Sequence, residues 1–223
     1  MDESSGTRKP WTPARWPADS AACDELRQWL TERSEDAEAA FYGMDLDFRG
    51  ADLSDADFRE SWLSGSDLRG VQLQRVELYC AHAERADFSG ADMEGADLVR
   101  ASLWDAKFAG TRLTNAILRK AEAFDCVFVN ANLAGANFGD SDVVDSDLTG
   151  ADLTGARANK LGLTGSRLDG ARVAGFHGSV IGPIIVSDHG KDVELDDEDL
   201  ERWFTERGAN VTRFRAEPPG ATQ

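Results

Sequence analysis

The sequence predicts an all-β solenoid with four flat sides, and three observations support this fold class. A mostly large apolar residue recurs at every fifth position from Phe48 to Val173, in 26 consecutive units without a break in register. A mostly small residue, usually Ala, precedes it by two positions in each unit. Amphipathic segments flank the repeats on both sides, as the ends of a solenoid require.

A period of five fits neither the 3.6-residue period of an α-helix nor the two-residue period of a strand. It fits a square coil, in which each five-residue unit forms one side and then turns the chain through a right angle. Four units make a rung of 20 residues, so the 26 units give about 6.5 rungs. Stacked at a strand spacing of about 4.8 Å, these rungs form a rod of about 31 Å.

The unit reads A-D-L-x-G, as in residues 151–155, and it covers residues 46–177 without a looped insertion. This motif resembles the pentapeptide-repeat family, and the resemblance implies a right-handed quadrilateral parallel β-helix. Residues 20 apart should therefore stack inside the rod. Two opposite ladders follow: Phe48, Leu68, Phe88, Phe108, Phe128 and Leu148, and Phe58, Leu78, Leu98, Leu118 and Phe138.

An N-terminal segment, residues 1–45, precedes the repeats and contains a predicted capping helix at about 20–33. Its apolar residues fall on one stripe, which can cover the open edge of the first rung. The members of this stripe are Ala22, Leu26, Trp29 and Leu30.

A C-terminal segment, residues 178–215, follows the repeats. Residues 180–186 indicate a degenerate last rung, and a second amphipathic helix is predicted at about 197–207, with Asp196 as its N-cap. Its apolar stripe suits either a cap or a dimer interface and consists of Leu200, Trp203 and Phe204. Residues 216–223 are expected to form a disordered tail.

Composition argues against several classes of protein. The three cysteines are widely spaced and form no CxxC pair, which argues against a disulfide framework and a zinc knuckle. No apolar stretch is long enough for a membrane span, and the first ten residues lack the apolar core of a signal peptide. We therefore expect a cytoplasmic protein with no membrane association, no metal and no cofactor.

The quinolone-resistance branch of the family implies one function. Its members resemble B-DNA in width and charge, bind DNA gyrase in place of DNA, and join two rods end to end. The implied partners are DNA gyrase or topoisomerase IV and a second copy of the chain, with no direct nucleic-acid binding and with resistance to topoisomerase inhibitors as the outcome. The acidic surface would consist of Asp47, Asp52, Asp57, Asp67, Asp87, Asp92, Asp97, Asp142, Asp147 and Asp152.

The charge of the repeats sets a limit on this interpretation. Asp at this position can also hydrogen-bond the backbone of the following turn, so it need not signal mimicry. A DNA duplex of 31 Å carries about 18 negative charges. Residues 46–177 contain 21 acidic and 14 basic residues, so their net charge is only −7. The charge density of the repeats is therefore well below that of DNA.

A second hypothesis rests on the fourth side of the rod, which begins with residues 61–65 and departs from the repeat consensus. Outward-pointing aromatic and apolar residues cluster there and on the adjoining third side, which is typical of an interaction surface for a protein or a ligand. We call this cluster the aromatic face: Trp62, Tyr79, His82, Trp104, Ile117, Glu122 and Phe124. Alternatively, these side chains stack on one another and lie under the N-terminal segment with Trp11 and Trp16.

Catalysis is a remote third alternative. His82, Ser102 and Glu122 should follow one another in one outward row, at steps of about 4.8 Å. Nucleophilic catalysis requires a base in contact with the nucleophile and oriented by a third group. In this row His82 is next to Ser102 but Glu122 lies beyond the serine, so we expect a protein that is not an enzyme.

Overall fold

The computed structural model describes residues 11–214, and most of its repeat region consists of single-residue β-bridges instead of long strands. One helix lies near each end of the described chain, and strands of two or more residues occur only from Asn137 onward. In order, the elements are α1 (Ser20–Glu35), β1 (Asn137–Gly139), β2 (Arg157–Gly162), β3 (Ser166–Arg167), β4 (His177–Ile181), β5 (Ile184–Asp188), β6 (Lys191–Leu195), α2 (Asp197–Glu206) and β7 (Asn210–Arg213).

The bridges confirm the predicted repeat. Trp62 pairs in parallel with His82, His82 with Ser102, and the neighbouring rows follow the same 20-residue step. Four five-residue units therefore make one turn of a parallel β-solenoid. Every fifth residue from Asp45 to Gly175 has a positive φ, which bends the chain at each corner.

The core is a continuous column of stacked side chains. Phe88 and Phe108 stack with ring centroids 5.0 Å apart, and Phe108 and Phe128 stack at 4.9 Å, with interplanar angles of 3° and 4°. The small residues of the motif are buried beside them, for example Ala91 and Ala131. Burial of one large and one small residue per unit accounts for the five-residue pattern.

The repeat begins one unit earlier than the sequence predicts. In residues 41–45, Phe41 occupies the position of the small residue and Gly43 that of the large one, and both lie in register with the fourth side. A Cβ on Gly43 would lie 2.5 Å from the ring of Phe41, so the phenylalanine fills the space that a central Leu fills elsewhere. This exchange hides the unit from a search for a large residue every five positions.

Helix α1 covers the N-terminal end of the rod and extends two residues beyond the predicted end at 33. Trp29 packs against Phe41 and Phe58, and its indole N–H donates to the carbonyl of Ala39 at 2.8 Å. Arg33 donates to the Asp57 carbonyl at 2.6 Å and pairs with its carboxylate. The open edge of the first rungs is thus covered by an apolar contact and an ion pair.

The sequence predicts one degenerate rung and one helix at the C-terminal end, but the structure contains additional strands there. Strands β1, β2, β4 and β7 form a parallel sheet in that order, so residues after α2 return to pair with the last rung. Strands β5 and β6 form an antiparallel hairpin that the sequence did not predict. Within the expected degenerate rung, Val180 pairs with Leu161 and Ile184 with Ser166.

Helix α2 ends at Glu206, one residue before the predicted end, and Gly208 follows it with a φ of +79°. Asp196 is at the N-cap position, but its side chain makes no capping hydrogen bond and pairs instead with Arg213 of β7. The predicted N-cap position of Asp196 is therefore confirmed, although its side chain does not supply the capping hydrogen bond. The expected tail at 216–223 lies outside the described residues.

Candidate protein-binding face

The fourth side presents two outward rows that differ from those of the other three sides. Trp62 and Trp104 are 40% and 47% exposed, and neither row contains Lys or Arg. Tyr42 and Met44 extend the rows toward the N-terminal end, with Tyr42 54% exposed. The sequence missed these two residues because the exchanged positions of Phe41 and Gly43 hid their unit.

The part of the aromatic face nearer the N-terminus, which we call its upper part, contains Trp62 and His82. Their side chains stack on each other, and that of His82 takes part in a hydrogen bond. The rings of Trp62 and His82 stack at 4.1 Å with an interplanar angle of 19°. His82 Nδ1 lies 3.3 Å from Glu84 Oε1, and Ser64 donates to the same carboxylate. Burial alone would raise the pKa of Glu84, but hydrogen bonds from Ser64, Ser102 and His82 lower it below its ordinary value.

The lower part of the aromatic face combines rings and carboxylates. Trp104 and Phe124 lie on adjacent rungs with centroids 4.7 Å apart, and the Trp104 indole N–H donates to Glu122 Oε2 at 3.3 Å. Glu122 bridges to Asp142 one rung further along. Burial, followed by repulsion from Glu122, raises the pKa of Asp142. Two carboxylates with the same charge are therefore stacked beside the exposed Trp104 and the half-buried Phe124.

Tyr79 and Ile117 lie on the third side, as predicted, and they extend the aromatic face around one corner. Ile117 is exposed and bridges Asp97 to Asn137 in its row. Tyr79 is half-buried, and its carbonyl accepts from the backbone N–H of Glu60. Among the ring contacts of residues 11–214, none joins Tyr79 to Trp62 or Trp104.

The N-terminal segment does not cover the aromatic face in the part of the chain that the structure describes. Trp11 packs against Trp29 and Phe58 at the end of the rod, and its indole N–H donates to the carbonyl of Ser54 at 2.8 Å. Arg15 pairs antiparallel with Asp52 on the second side. Trp11 therefore does not shield the aromatic face, whereas the predicted stacking of its side chains on one another is confirmed for two ring pairs.

The acidic surface is largely engaged in local contacts. Nine of its ten aspartates accept a hydrogen bond from the backbone N–H two residues later, and Asp142 does not. Six of the ten also form ion pairs with arginine: Asp47, Asp57, Asp67, Asp87, Asp92 and Asp152. These carboxylates stabilise the turns, and arginine compensates much of their charge.

The pKa shifts of these aspartates have the same origin. A side-chain hydrogen bond from Arg49 lowers the pKa of Asp47 to about 2. Burial alone would raise the pKa of Asp57, but hydrogen bonds from Arg59 and Arg33 lower it to about 2. Charged arginine partners favour the ionised carboxylate in both cases.

The apolar stripe of α2 is packed inside the chain. Leu200 and Phe204 are fully buried, Trp203 is 8% exposed, and the ring of Phe204 stacks on Phe176 at 5.4 Å. The stripe is not exposed, so these three side chains serve as a cap of the rod. A dimer contact through the C-terminal helix would have to use its outer surface.

In the outward row of His82, Ser102 and Glu122, Glu122 does not contact His82 as the third member of a catalytic triad would. The carboxylate beside His82 is Glu84, and Glu122 lies next to Trp104. Within residues 11–214, no group of three or more His, Cys, Asp or Glu side chains has the geometry of a metal site. No helix in the same range is long and apolar enough to cross a bilayer.

The family model of pentapeptide repeats matches eight copies in this chain, over residues 45–70, 66–105, 96–123 and 126–160. No curated protein matches the chain. Among solved structures, a trypsin-treated variant of QnrB1, a plasmid-mediated fluoroquinolone resistance protein, is 21% identical with a TM-score of 0.51, over 68% of this chain and 82% of that one.

Two further solved structures are similar at lower scores. HetL, a pentapeptide repeat protein involved in regulation of heterocyst differentiation in the cyanobacterium Nostoc, is 23% identical over 68% of this chain and 84% of that one, with a TM-score of 0.25. A pentapeptide repeat protein of the Arabidopsis thaliana thylakoid lumen is 20% identical over 76% and 81%, with a TM-score of 0.34.

Proposed function

Because the chain belongs to the pentapeptide-repeat family, we propose that it is a non-enzymatic binding protein that docks a protein partner along its aromatic face. The observation that carries this proposal is the exposure of Trp62 and Trp104 on a side whose outward rows lack Lys and Arg. Exposed aromatic residues that are grouped on one side are typical of interaction surfaces, whereas scattered ones are not.

DNA gyrase or topoisomerase IV is the first candidate partner, with resistance to topoisomerase inhibitors as the expected outcome. The similarity to QnrB1, whose name describes fluoroquinolone resistance, favours this candidate. Mimicry of DNA charge is less well supported, because six of the ten predicted surface aspartates pair with arginine. Contact through the aromatic face requires no such mimicry.

The finer expectations from the sequence belong to the same proposal. They are a right-handed rod of about 6.5 rungs from the 26 predicted units, to which residues 41–45 add one unit, a cytoplasmic location, and no direct contact with nucleic acid or membrane. End-to-end pairing of two rods through the outer surface of α2 stays a prediction, which sedimentation of the purified protein would test. A ligand-binding scaffold at the aromatic face is the alternative to a protein partner.

The test measures gyrase supercoiling, and its protection from a quinolone, with the wild-type protein and with the double variant Trp104→Ser/Phe124→Ser. We expect the wild-type protein to change both readouts at micromolar concentration and the double variant to lose the effect. Val127→Ser/Val129→Ser is a matched control, because these half-buried residues lie on the first side of the rod. Thermal unfolding by circular dichroism shows whether each variant keeps its fold.

Two results would overturn parts of the proposal. No effect of the wild-type protein on gyrase or topoisomerase IV would exclude these partners. Equal activity of the wild-type protein and a folded Trp104→Ser/Phe124→Ser variant would show that the aromatic face is not the contact surface.

A further inference from the structure

Trp104 and Phe124 lie between two rows of negative charge. On one side is the row of Glu122 and Asp142, which neighbour each other on adjacent rungs. On the other side is the following corner, where Arg85 is succeeded every 20 residues by three exposed aspartates, each with a positive φ: Asp105, Asp125 and Asp145. A group placed over the two rings would therefore be flanked by carboxylates on both sides.

The carboxylates at this place have no ion-pair partner in the part of the chain that the structure describes. Among residues 11–214, no ion pair is formed by Glu122, Asp142 or the three corner aspartates. Lys120 and Arg100 lie at the preceding corner without pairing to Glu122 in the same range. On the first and third sides, by contrast, arginines pair with Asp47, Asp57 and Asp67.

A cationic group suits both features of this place. The face of an indole or phenyl ring attracts a cation, and the attraction grows when water is excluded. Carboxylates on both sides would pair with the same cation. Arginine suits the arrangement better than lysine because its planar guanidinium can stack on a ring and donate hydrogen bonds from its edge at the same time.

We propose that the lower part of the aromatic face binds an arginine side chain of the partner protein, with the guanidinium over Trp104 and Phe124 and its N–H groups directed to Glu122 and Asp142. This inference rests on the proposed function, since it assumes a protein partner on the same side, and it adds the chemistry of the contacting residue. The indole N–H of Trp104, which donates to Glu122, holds ring and carboxylate together.

The experiment uses a blocked, fluorescein-labelled peptide of alternating glycine and arginine and measures its fluorescence anisotropy with the full chain. Glu122→Gln/Asp142→Asn should weaken binding about tenfold, because two charge-assisted contacts are lost. Trp104→Leu should weaken it about fivefold, because the ring attraction is lost and apolar bulk remains. A lysine peptide of the same length should bind more weakly than the arginine peptide.

A matched control separates a local site from general attraction to an acidic protein. Asp97→Asn/Asp147→Asn removes the same number of negative charges from the third and first sides. This control should bind within twofold of the wild-type protein. An equal loss in this control and in Glu122→Gln/Asp142→Asn, or equal binding of the two peptides, would overturn the proposal.

The peptide assay is independent of gyrase, so the two proposals can fail separately. Specific arginine binding without any effect on gyrase would retain the arginine site and reject gyrase as the partner. Loss of gyrase inhibition in Trp104→Ser/Phe124→Ser, with no specific arginine binding, would retain the aromatic face as the docking surface and reject the arginine site.

Discussion

The first three sides of the rod and its fourth side share one backbone but use their outward residues differently. On the first three sides, aspartates accept hydrogen bonds from the turn backbone, and several pair with arginines of the same or the next rung, as Asp67 does with Arg69 and Arg49. On the fourth side, Asp142 makes no such backbone contact and Trp104 is exposed. The aspartates of the first three sides stabilise the turns of the rod, whereas Glu122 and Asp142 of the fourth side form no ion pair among the described residues.

The corners show that this difference does not arise from the backbone. Asp105 and Asp125, which end units of the fourth side, have φ values of 59° and 56°. Lys120 and Asn130, which end units of the third and first sides, have values of 58° and 55°. Because the local conformation is the same, the specialisation of the fourth side resides in its side chains alone.

The largest expected effect is on the free energy of unfolding, which should fall much more for a substitution inside the rod than for one on the outside of its fourth side. Phe108→Ala should lower the free energy of unfolding by about 3–5 kcal/mol, because it removes a ring stacked between Phe88 and Phe128. Phe124→Ala, on the outside, should cost about 1 kcal/mol or less. Urea unfolding followed by circular dichroism measures both, and equal costs would contradict the comparison.

A second prediction concerns the compensated and uncompensated carboxylates. The pKa of Asp57 is about 2 in the folded chain, below its ordinary value of 3.8. Because the pKa of Asp57 is lower in the folded state, ionised Asp57 stabilises the protein at any pH above its ordinary pKa. This stabilisation disappears as the pH falls through about 2. After allowance for the 23% exposure of its side chain, Asp57→Asn should cost about 1–2 kcal/mol at pH 6.5.

The difference between the wild-type protein and Asp57→Asn should shrink as urea unfolding is repeated from pH 6.5 down to pH 3. Asp142→Asn is the counterpart on the fourth side. Burial and repulsion raise the pKa of Asp142, so this variant should be neutral or slightly more stable at pH 6.5. A difference for Asp57→Asn that did not vary with pH would contradict the role of the ion pair with Arg33.

A third prediction tests the corners that all four sides share. Gly110 has a φ of +64° and no atom within 4 Å of the place of a Cβ, so Gly110→Ala introduces backbone strain without a clash. We expect a cost of about 1 kcal/mol in urea unfolding. Gly110→Asn should cost less, because asparagine tolerates this conformation and already occupies it at Asn130. Equal costs would show that strain at the corner is not the cause.

The smallest expected effect is at the exposed indole itself. Trp104→Leu should change the free energy of unfolding by about 0.5 kcal/mol or less, because Trp104 is 47% exposed and leucine retains apolar contact with Phe124. Urea unfolding of this variant also validates its use in the peptide assay. A loss as large as that of Phe108→Ala would instead make Trp104 part of the structural core.

The repeat was predictable because burial imposes the same pattern on every unit. Its first unit was not, because Phe41 fills from a neighbouring position the space left by Gly43. Contacts between segments that are distant in sequence could not be predicted either. Examples are the pairing of β7 with β4 and the ion pair between Arg33 and Asp57. No local sequence signal specifies such contacts.

The aromatic face was predicted from its departures from consensus, but its internal contacts were not. A 20-residue alignment placed His82 and Ser102 in one row, yet the carboxylate that contacts His82 belongs to the neighbouring row, at Glu84. Side chains from two rows can meet across a corner or within a unit, and only coordinates decide which of them do. The position of the surface therefore followed from periodicity, whereas its chemistry required the structure.

The 20-residue pairing of the rungs also restricts how such a chain can change in length. Removal of one five-residue unit between Trp62 and Trp104 would keep the other corners intact but rotate all later residues by a quarter turn, so that the two tryptophans would no longer share a side. Removal of 20 residues would shorten the rod and leave the alignment of its sides unchanged. Insertions and deletions in whole turns thus preserve the surface, whereas those of single units redistribute it around the rod.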